Sequence, residues 1–306
     1  IYRFELKIDR EWNRFKKIRM YYKFGSYAKS ILKKNKYDFV ITWGTETAFL
    51  FSDYLIRNLK NRYVVNIRDY ARLDNKLKFK LMNELVKKSK FTTISSRGFE
   101  KFLPKFHYIL MNSINHKIID NCTIREGLKD INEPLRISFI GYVRFYDNDK
   151  KLLKSLSNDK RFIIQYFGIG SDVLRDFAIT NNIENVEFLS SFDVEETGKL
   201  LDKADIINNL YGYNDMALDT AVSIKYHYAL NLKLPIMVYK NTYMEEISKG
   251  IAFVFDDNYE DLGDRIYNWY HNIKFDEFNE ICNKKIKVNE LENLKFYNKL
   301  KESIGK

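Results

Sequence analysis

Two stretches of the sequence repeat one pattern: short apolar runs of three to seven residues alternate with longer amphipathic segments. In the first half the runs are Tyr37 to Trp43, Tyr63 to Ile67, Phe91 to Ile94 and Tyr108 to Met111. In the second they are Arg136 to Ile140, Phe162 to Phe167, Val186 to Leu189, Ile206 to Asn208, Pro235 to Val238 and Ala252 to Phe255. Runs this short and this apolar suit strands buried on both faces. Parallel strands need a long crossover between neighbours. Segments of helical length lie where the crossovers would run: Thr47 to Leu59, Asn75 to Lys88, Lys150 to Leu156, Ser171 to Thr180, Val194 to Lys203 and Thr220 to Leu232. Asp74 is expected to cap the second of these. The pattern predicts an α/β chain with two doubly wound units. Asn132-Glu133-Pro134 interrupts it, which sets the domains at 1–132 and 133–306, the second closing in helices after about Asp261. Ile1 to Ile8 reads as a further candidate strand, followed by a basic helical stretch around Lys16 to Lys34.

Composition removes several classes. With 306 residues, 45% hydrophobic and 30% charged, the chain is long and apolar enough for two folded domains. Cys122 and Cys282 have no partner at metal spacing, which excludes a disulfide framework and a zinc site legible in sequence. The histidines, His107, His116, His227 and His271, show no ligand spacing either, so no metal is predicted. No apolar run approaches the ~18 residues needed to span a bilayer. The net charge of +11, from 52 Lys and Arg against 41 Asp and Glu, favours anionic partners such as nucleotides or lipid head groups. The basic residues are dispersed and accompany no nucleic-acid-binding signature, so nucleic acid is not an expected partner.

Ligands of open α/β sheets bind beyond the carboxyl ends of the strands. The segment Phe139-Ile140-Gly141-Tyr142-Val143-Arg144, with Lys150, follows the first strand of the second half. A glycine there permits close backbone approach, and two cations could neutralise a diphosphate from two directions. Tyr166-Phe167-Gly168-Ile169-Gly170-Ser171 forms a strand–Gly-x-Gly–helix junction that could present backbone N–H groups. It lacks the third glycine of the dinucleotide fingerprint. In Ser223 to Leu230, Lys225 lies near a helix start and Tyr228 follows at i+3, on nearly the same face. Taken singly, each segment also fits an ordinary turn, a solvated cation or a packed tyrosine.

Taken in order, these segments resemble the nucleotide-sugar-binding domain of GT-B glycosyltransferases, most of all the bacterial family 4-like enzymes that build capsule, exopolysaccharide or lipopolysaccharide. FIGYVR with Lys150 resembles the family's diphosphate grip, and YFGIG its glycine turn. Asn185 to Ser190 through Ala204-Asp205-Ile206 resembles a further family segment, and SIKYHYALNLKLPIMV the run whose Lys and Glu approach the nucleotide. In the first half, Val64 to Tyr70, Phe91 to Ser96, Phe102-Leu103-Pro104 and Met111-Asn112-Ser113 resemble the acceptor-side domain. The likeness spans residues 37 to 260. It implies two Rossmann-like domains facing across a cleft, the first truncated, with on the order of 50 residues preceding Ile1. It implies transfer of a sugar from a nucleotide sugar, a UDP-sugar as first choice, to a lipid-linked or growing glycan, without metal or other cofactor. The donor site would comprise Gly141, Arg144, Lys150, Gly168, Gly170, Lys225, Tyr228 and Glu245. The expected location is cytoplasmic and peripheral, with Trp12 to Lys23 meeting an anionic inner leaflet.

The departures concern catalysis. Many retaining members carry a pair of glutamates at the positions of Thr220 and Tyr228, and neither residue is a carboxylate. Arg68 stands where the family has His. Glu46 and Asp69 follow predicted strands and are the first candidates for the catalytic carboxylate, ahead of Asp215, Asp219 and Glu245. An inverting enzyme would need one such base. A catalytically degenerate partner subunit and a nucleotide-sugar epimerase of the same fold are the alternatives.

Overall fold

The computed structural model of the chain describes residues 1–5 and 12–305. The chain divides into Ile1–Asn112 with Leu291–Lys306, here unit 1, and Ser113–Glu290, unit 2. All ten strands of the repeated pattern form.

Unit 1 begins with α1 (Arg14–Asn35), capped by the Asn13 side chain, which accepts from the Lys16 amide at 2.9 Å. There follow β1 (Val40–Trp43), α2 (Thr45–Leu50), α3 (Ser52–Asn58), β2 (Tyr63–Ile67), α4 (Lys76–Lys88), β3 (Phe91–Ile94), a 3-10 turn (Arg97–Lys101) and β4 (Tyr108–Leu110). The strands form one parallel sheet in the order β1-β2-β3-β4. Every residue of β2 and β3 is buried, as expected of strands covered on both faces. Where one helix was expected over residues 47–59 there are two. Phe51, with φ −134° and ψ 29°, leaves the helical region and buries its ring. Asn75, not Asp74, caps α4: its side chain accepts from the Leu77 and Lys78 amides at 3.0 and 3.1 Å. Residues 1–5 form no strand, and the remainder of the strand expected over residues 1–8 lies outside the described residues.

Unit 2 runs through α5 (His116–Ile119), β5 (Leu135–Ile140), α6 (Tyr146–Ser155), β6 (Phe162–Phe167), α7 (Ser171–Thr180), β7 (Val186–Leu189), α8 (Thr197–Leu201), β8 (Ile206–Asn208), α9 (Met216–Thr220), α10 (Ile224–Leu232), β9 (Ile236–Tyr239), α11 (Tyr243–Ile247), β10 (Ala252–Phe255), α12 (Leu262–His271) and α13 (Phe275–Ile304). Its six parallel strands have the order β10-β9-β8-β5-β6-β7. The chain enters at β5, winds out to the β7 edge and returns to β8 beside β5, so the topological switch point lies between β5 and β8. One face of the sheet buries Ile137, Phe139, Ile164 and Tyr166 with Leu174 and Ile266. The other buries Ile207 and Ile236 with Tyr228, Leu230 and Phe278. The helix expected over residues 220–232 begins only at Ile224, and Thr220 ends the separate α9. Ala221 is extended at ψ 154°, and the Ser223 hydroxyl accepts from the Lys225 amide at 3.3 Å to start α10.

The division falls at Asn112 and Ser113, not near Pro134. Residues 113–134 pack with unit 2: Ile118 and Ile119 join its core, and the Arg125 amide donates to the Leu232 carbonyl at 3.0 Å. From Leu291 onward, α13 belongs to unit 1, where Phe296 packs with Val64, Phe91 and Ile109. No helix among the described residues is long and apolar enough to cross a membrane.

Candidate functional site

At the carboxyl ends of β5 and β6 the two following loops lock together through their backbones. Gly141 donates its amide to the Phe167 carbonyl at 2.8 Å, and Val143 to Ile169 at 2.9 Å. Gly168 sits at φ +133°, and a Cβ there would lie 2.0 Å from the Gly141 oxygen, so no side chain fits. A Cβ on Gly170 would come within 2.8 Å of both the Tyr146 hydroxyl and the Val143 carbonyl. The chain then enters α7 with its first amides at the loop.

Into this corner comes Lys225, from the first turn of α10. Its side chain is 6% exposed, yet its Nζ stands 3.8 Å from where a Cβ of Gly141 would be. The ammonium lies over two rings, 4.2 Å from the centroid of Phe139 and 4.8 Å from that of Tyr211. Burial lowers its pKa to about 7; the Asp149 charge opposes that shift and the Arg144 charge adds to it. Arg144 is exposed, stacked 5.1 Å from the Tyr211 centroid and 5.3 Å from that of Tyr142, and it donates to the Tyr211 hydroxyl. The structure therefore brings together Gly141, Gly168, Gly170, Arg144 and Lys225. It adds two groups the sequence reading missed. Tyr211 follows β8 across the switch point. Asp149, 3% exposed, accepts from the Tyr166 hydroxyl at 2.9 Å. Burial raises the Asp149 pKa to about 7 against the pull of that bond and of Lys225.

In unit 1 the two candidate carboxylates differ in surroundings. Glu46, in the first turn of α2, is ion-paired with Lys78 at 2.9 Å, and the same ammonium donates to the Ala71 carbonyl at 3.0 Å. Asp69 follows β2. It keeps a solvent-facing surface, but protein crowds its carboxyl enough that desolvation raises its pKa, helped by the Glu46 charge. The nearby Thr45 hydroxyl and the charges of Lys78 and Arg68 oppose the rise without cancelling it. Arg68 lies over the Trp43 ring at 5.3 Å.

No family model matches the sequence, and no curated protein does. Solved structures do resemble it. Sucrose-phosphate synthase from Thermosynechococcus elongatus superposes with a TM-score of 0.73 at 9% identity, over 96% of this chain and 80% of that one. A glycosyltransferase from Rickettsia africae gives 0.67 at 14% identity, over 98% and 84%. HepE from Anabaena, solved in complex with UDP and glucose, gives 0.65 at 12% identity, over 94% and 83%. The fold is GT-B.

The other residues expected at a donor site have their own surroundings. Lys150 projects from α6 over the Phe177 ring of α7, 5.5 Å from its centroid. Tyr228 is 6% exposed in the core beneath α10, where burial raises its hydroxyl pKa. Glu245 closes the start of α11, its carboxylate accepting from the Asn241 amide at 2.6 Å. Thr220 is buried and turns its hydroxyl onto the Met216 carbonyl. Asp215 caps α9 through the Ala217 amide at 2.8 Å. Among the described residues no group of three or more His, Cys, Asp or Glu side chains could hold a metal ion.

Proposed function

We propose that this GT-B chain is a glycosyltransferase whose unit 2 binds a nucleoside diphosphate sugar, with a UDP-sugar as first choice. The observation that carries the reading is the buried Lys225 ammonium beside the paired glycine turns, with Arg144 next to it. A diphosphate leaving group needs positive charge and aligned N–H donors where its negative charge grows, and such donors act most strongly where water is excluded. The two cations and the start of α7 supply both. UDP and glucose in the Anabaena relative support the same class of ligand.

The acceptor, in this reading, is a lipid-linked or growing glycan of a bacterial surface polysaccharide, held by unit 1. Asp69 takes the proton of the acceptor hydroxyl as that oxygen bonds the anomeric carbon. The bond from that carbon to the diphosphate breaks, and its electron pair leaves with the phosphate. Asp69 suits this role better than Glu46, which Lys78 already holds. The α1 helix, with no acidic residue and with Phe15 and Tyr22 exposed, suits docking on an anionic membrane surface. A second reading, a non-catalytic partner subunit, is favoured by Thr220 and Tyr228, which are not carboxylates and are turned into the protein. Release of diphosphate from UDP-, GDP- and ADP-sugars, with and without a lipid-linked glycan acceptor, separates the two. Acceptor-dependent turnover supports the enzyme; selective nucleotide binding with no turnover supports the partner subunit.

A further inference from the structure

The Asp149 carboxyl has no part in the chemistry above, yet it is buried at least as deeply as the site's central cation. It projects from the first turn of α6 onto the Tyr166 hydroxyl. The Tyr166 ring stacks on Phe139 at 5.7 Å, and Lys225 Nζ lies 4.2 Å from the centroid of that same Phe139. An anion from α6 and a cation from α10 thus converge on one ring pair. Each feels the other's charge, but no ion pair within 4.0 Å joins Lys225 to a carboxylate among the described residues. That spacing has a consequence. A clamped carboxylate would occupy the donors Lys225 must turn toward a ligand, whereas with no anion nearby the buried ammonium would shed its proton. A carboxylate held beyond 4.0 Å but within reach of its charge keeps the ammonium charged and leaves its donors free.

We infer that Asp149 is a positioning residue for the donor diphosphate: anchored by Tyr166, it keeps Lys225 charged and free to face the Gly141 turn. The inference rests on the donor-site reading of unit 2. The other groups facing this pair are Arg144 from the loop after β5, whose charge opposes the ammonium, and Tyr211 after β8. Tyr239 at the end of β9 senses the Asp149 charge, and Tyr259 beyond β10 acts on Tyr166; burial holds both hydroxyls neutral. Removing the Asp149 charge therefore lowers the Lys225 pKa further. Binding that requires the ammonium then fails at a lower pH.

The test is Kd for UDP, GDP and ADP by calorimetry from about pH 6 to about pH 9, around the neutral values of the pair. The proteins are the full chain, Asp149→Asn, Tyr166→Phe, Lys225→Met and the double variant Asp149→Asn/Lys225→Met. Asp149→Asn is expected to weaken binding about tenfold on the alkaline side and to move that limb down by about one pH unit. In the Lys225→Met background it is expected to cost nothing further, since the two act as one unit. Tyr166→Phe keeps the ring and shifts the profile the same way by less. It carries the test should Asp149→Asn not fold. A wild-type profile for Asp149→Asn or Tyr166→Phe, or an equal loss with and without Lys225, overturns the inference alone. Failure of the wild-type chain to bind any of the three diphosphates overturns the donor-site reading itself.

Discussion

Asp69 and Glu46 show how two carboxylates near one another acquire different chemistry. Glu46 has an ammonium at 2.9 Å, while Asp69 is raised by desolvation and by the Glu46 charge. Asp69→Asn is predicted to lower acceptor-dependent turnover roughly 10²–10⁴-fold, the usual worth of a general base, with little change in nucleotide affinity. Glu46→Gln is predicted to keep most turnover but to move the acid limb of its pH profile downward. The base must be ionised to act, and losing the neighbouring charge lowers its pKa. Steady-state rates against pH check both. At this scale the sequence was partly legible. Glycines at strand ends and a lysine at a helix start are local signals, and Gly141, Gly168, Gly170 and Lys225 do meet. The surroundings of Lys150 and Tyr228 were not legible, because a side chain's direction depends on which helix face is covered. Asp149 looks like any acidic residue in a first turn, favourable there for the helix dipole alone, so nothing in the sequence separates it from Asp147.

The helix α10 carries little amphipathic signal because it is buried nearly all round, from Lys225 to Leu232. Spacing along it therefore could not say that Lys225 faces the loops while Tyr228 faces the core. The same burial governs His227, 3% exposed, whose pKa is lowered from 6.5 to about 4 by desolvation. The folded state then binds fewer protons than the unfolded one between those values. Stability from this group is present above pH 6.5 and is lost as pH falls toward 4. His227→Leu is predicted to remove about 3 kcal/mol of that acid sensitivity, read as a flatter Tm profile through the window. The loop pair makes a second prediction. Gly168→Ala puts a methyl 2.0 Å from the Gly141 oxygen and forces one loop to move. A loss of roughly 3 kcal/mol in urea unfolding is expected, together with weaker nucleotide binding.

Over the whole molecule, the repeated strand–helix pattern carried the fold class and all ten of its strands, because strands buried on both faces, such as β2 and β3, read as short, mostly apolar runs. The division was less legible. Pro134 marks only the entry to β5, whereas assigning residues 113–134 to unit 2 depends on Ile118 and Ile119 finding a core far along the chain. The return of α13 to unit 1 was equally hidden, since Phe296 is one of many apolar residues spaced along a single 30-residue helix. Phe296→Ala, at a site 6% exposed, is predicted to cost about 3–4 kcal/mol and to raise amide exchange in β2, β3 and β4 more than in β5 and β6. The central claim is that unit 2 holds a nucleoside diphosphate through Lys225. Calorimetric titration of UDP, GDP and ADP into the wild-type chain and Lys225→Met tests it most directly. Selective binding to the wild type, weakened at least about tenfold in the variant, is the predicted result. No binding by the wild type, or equal binding by both, would contradict it.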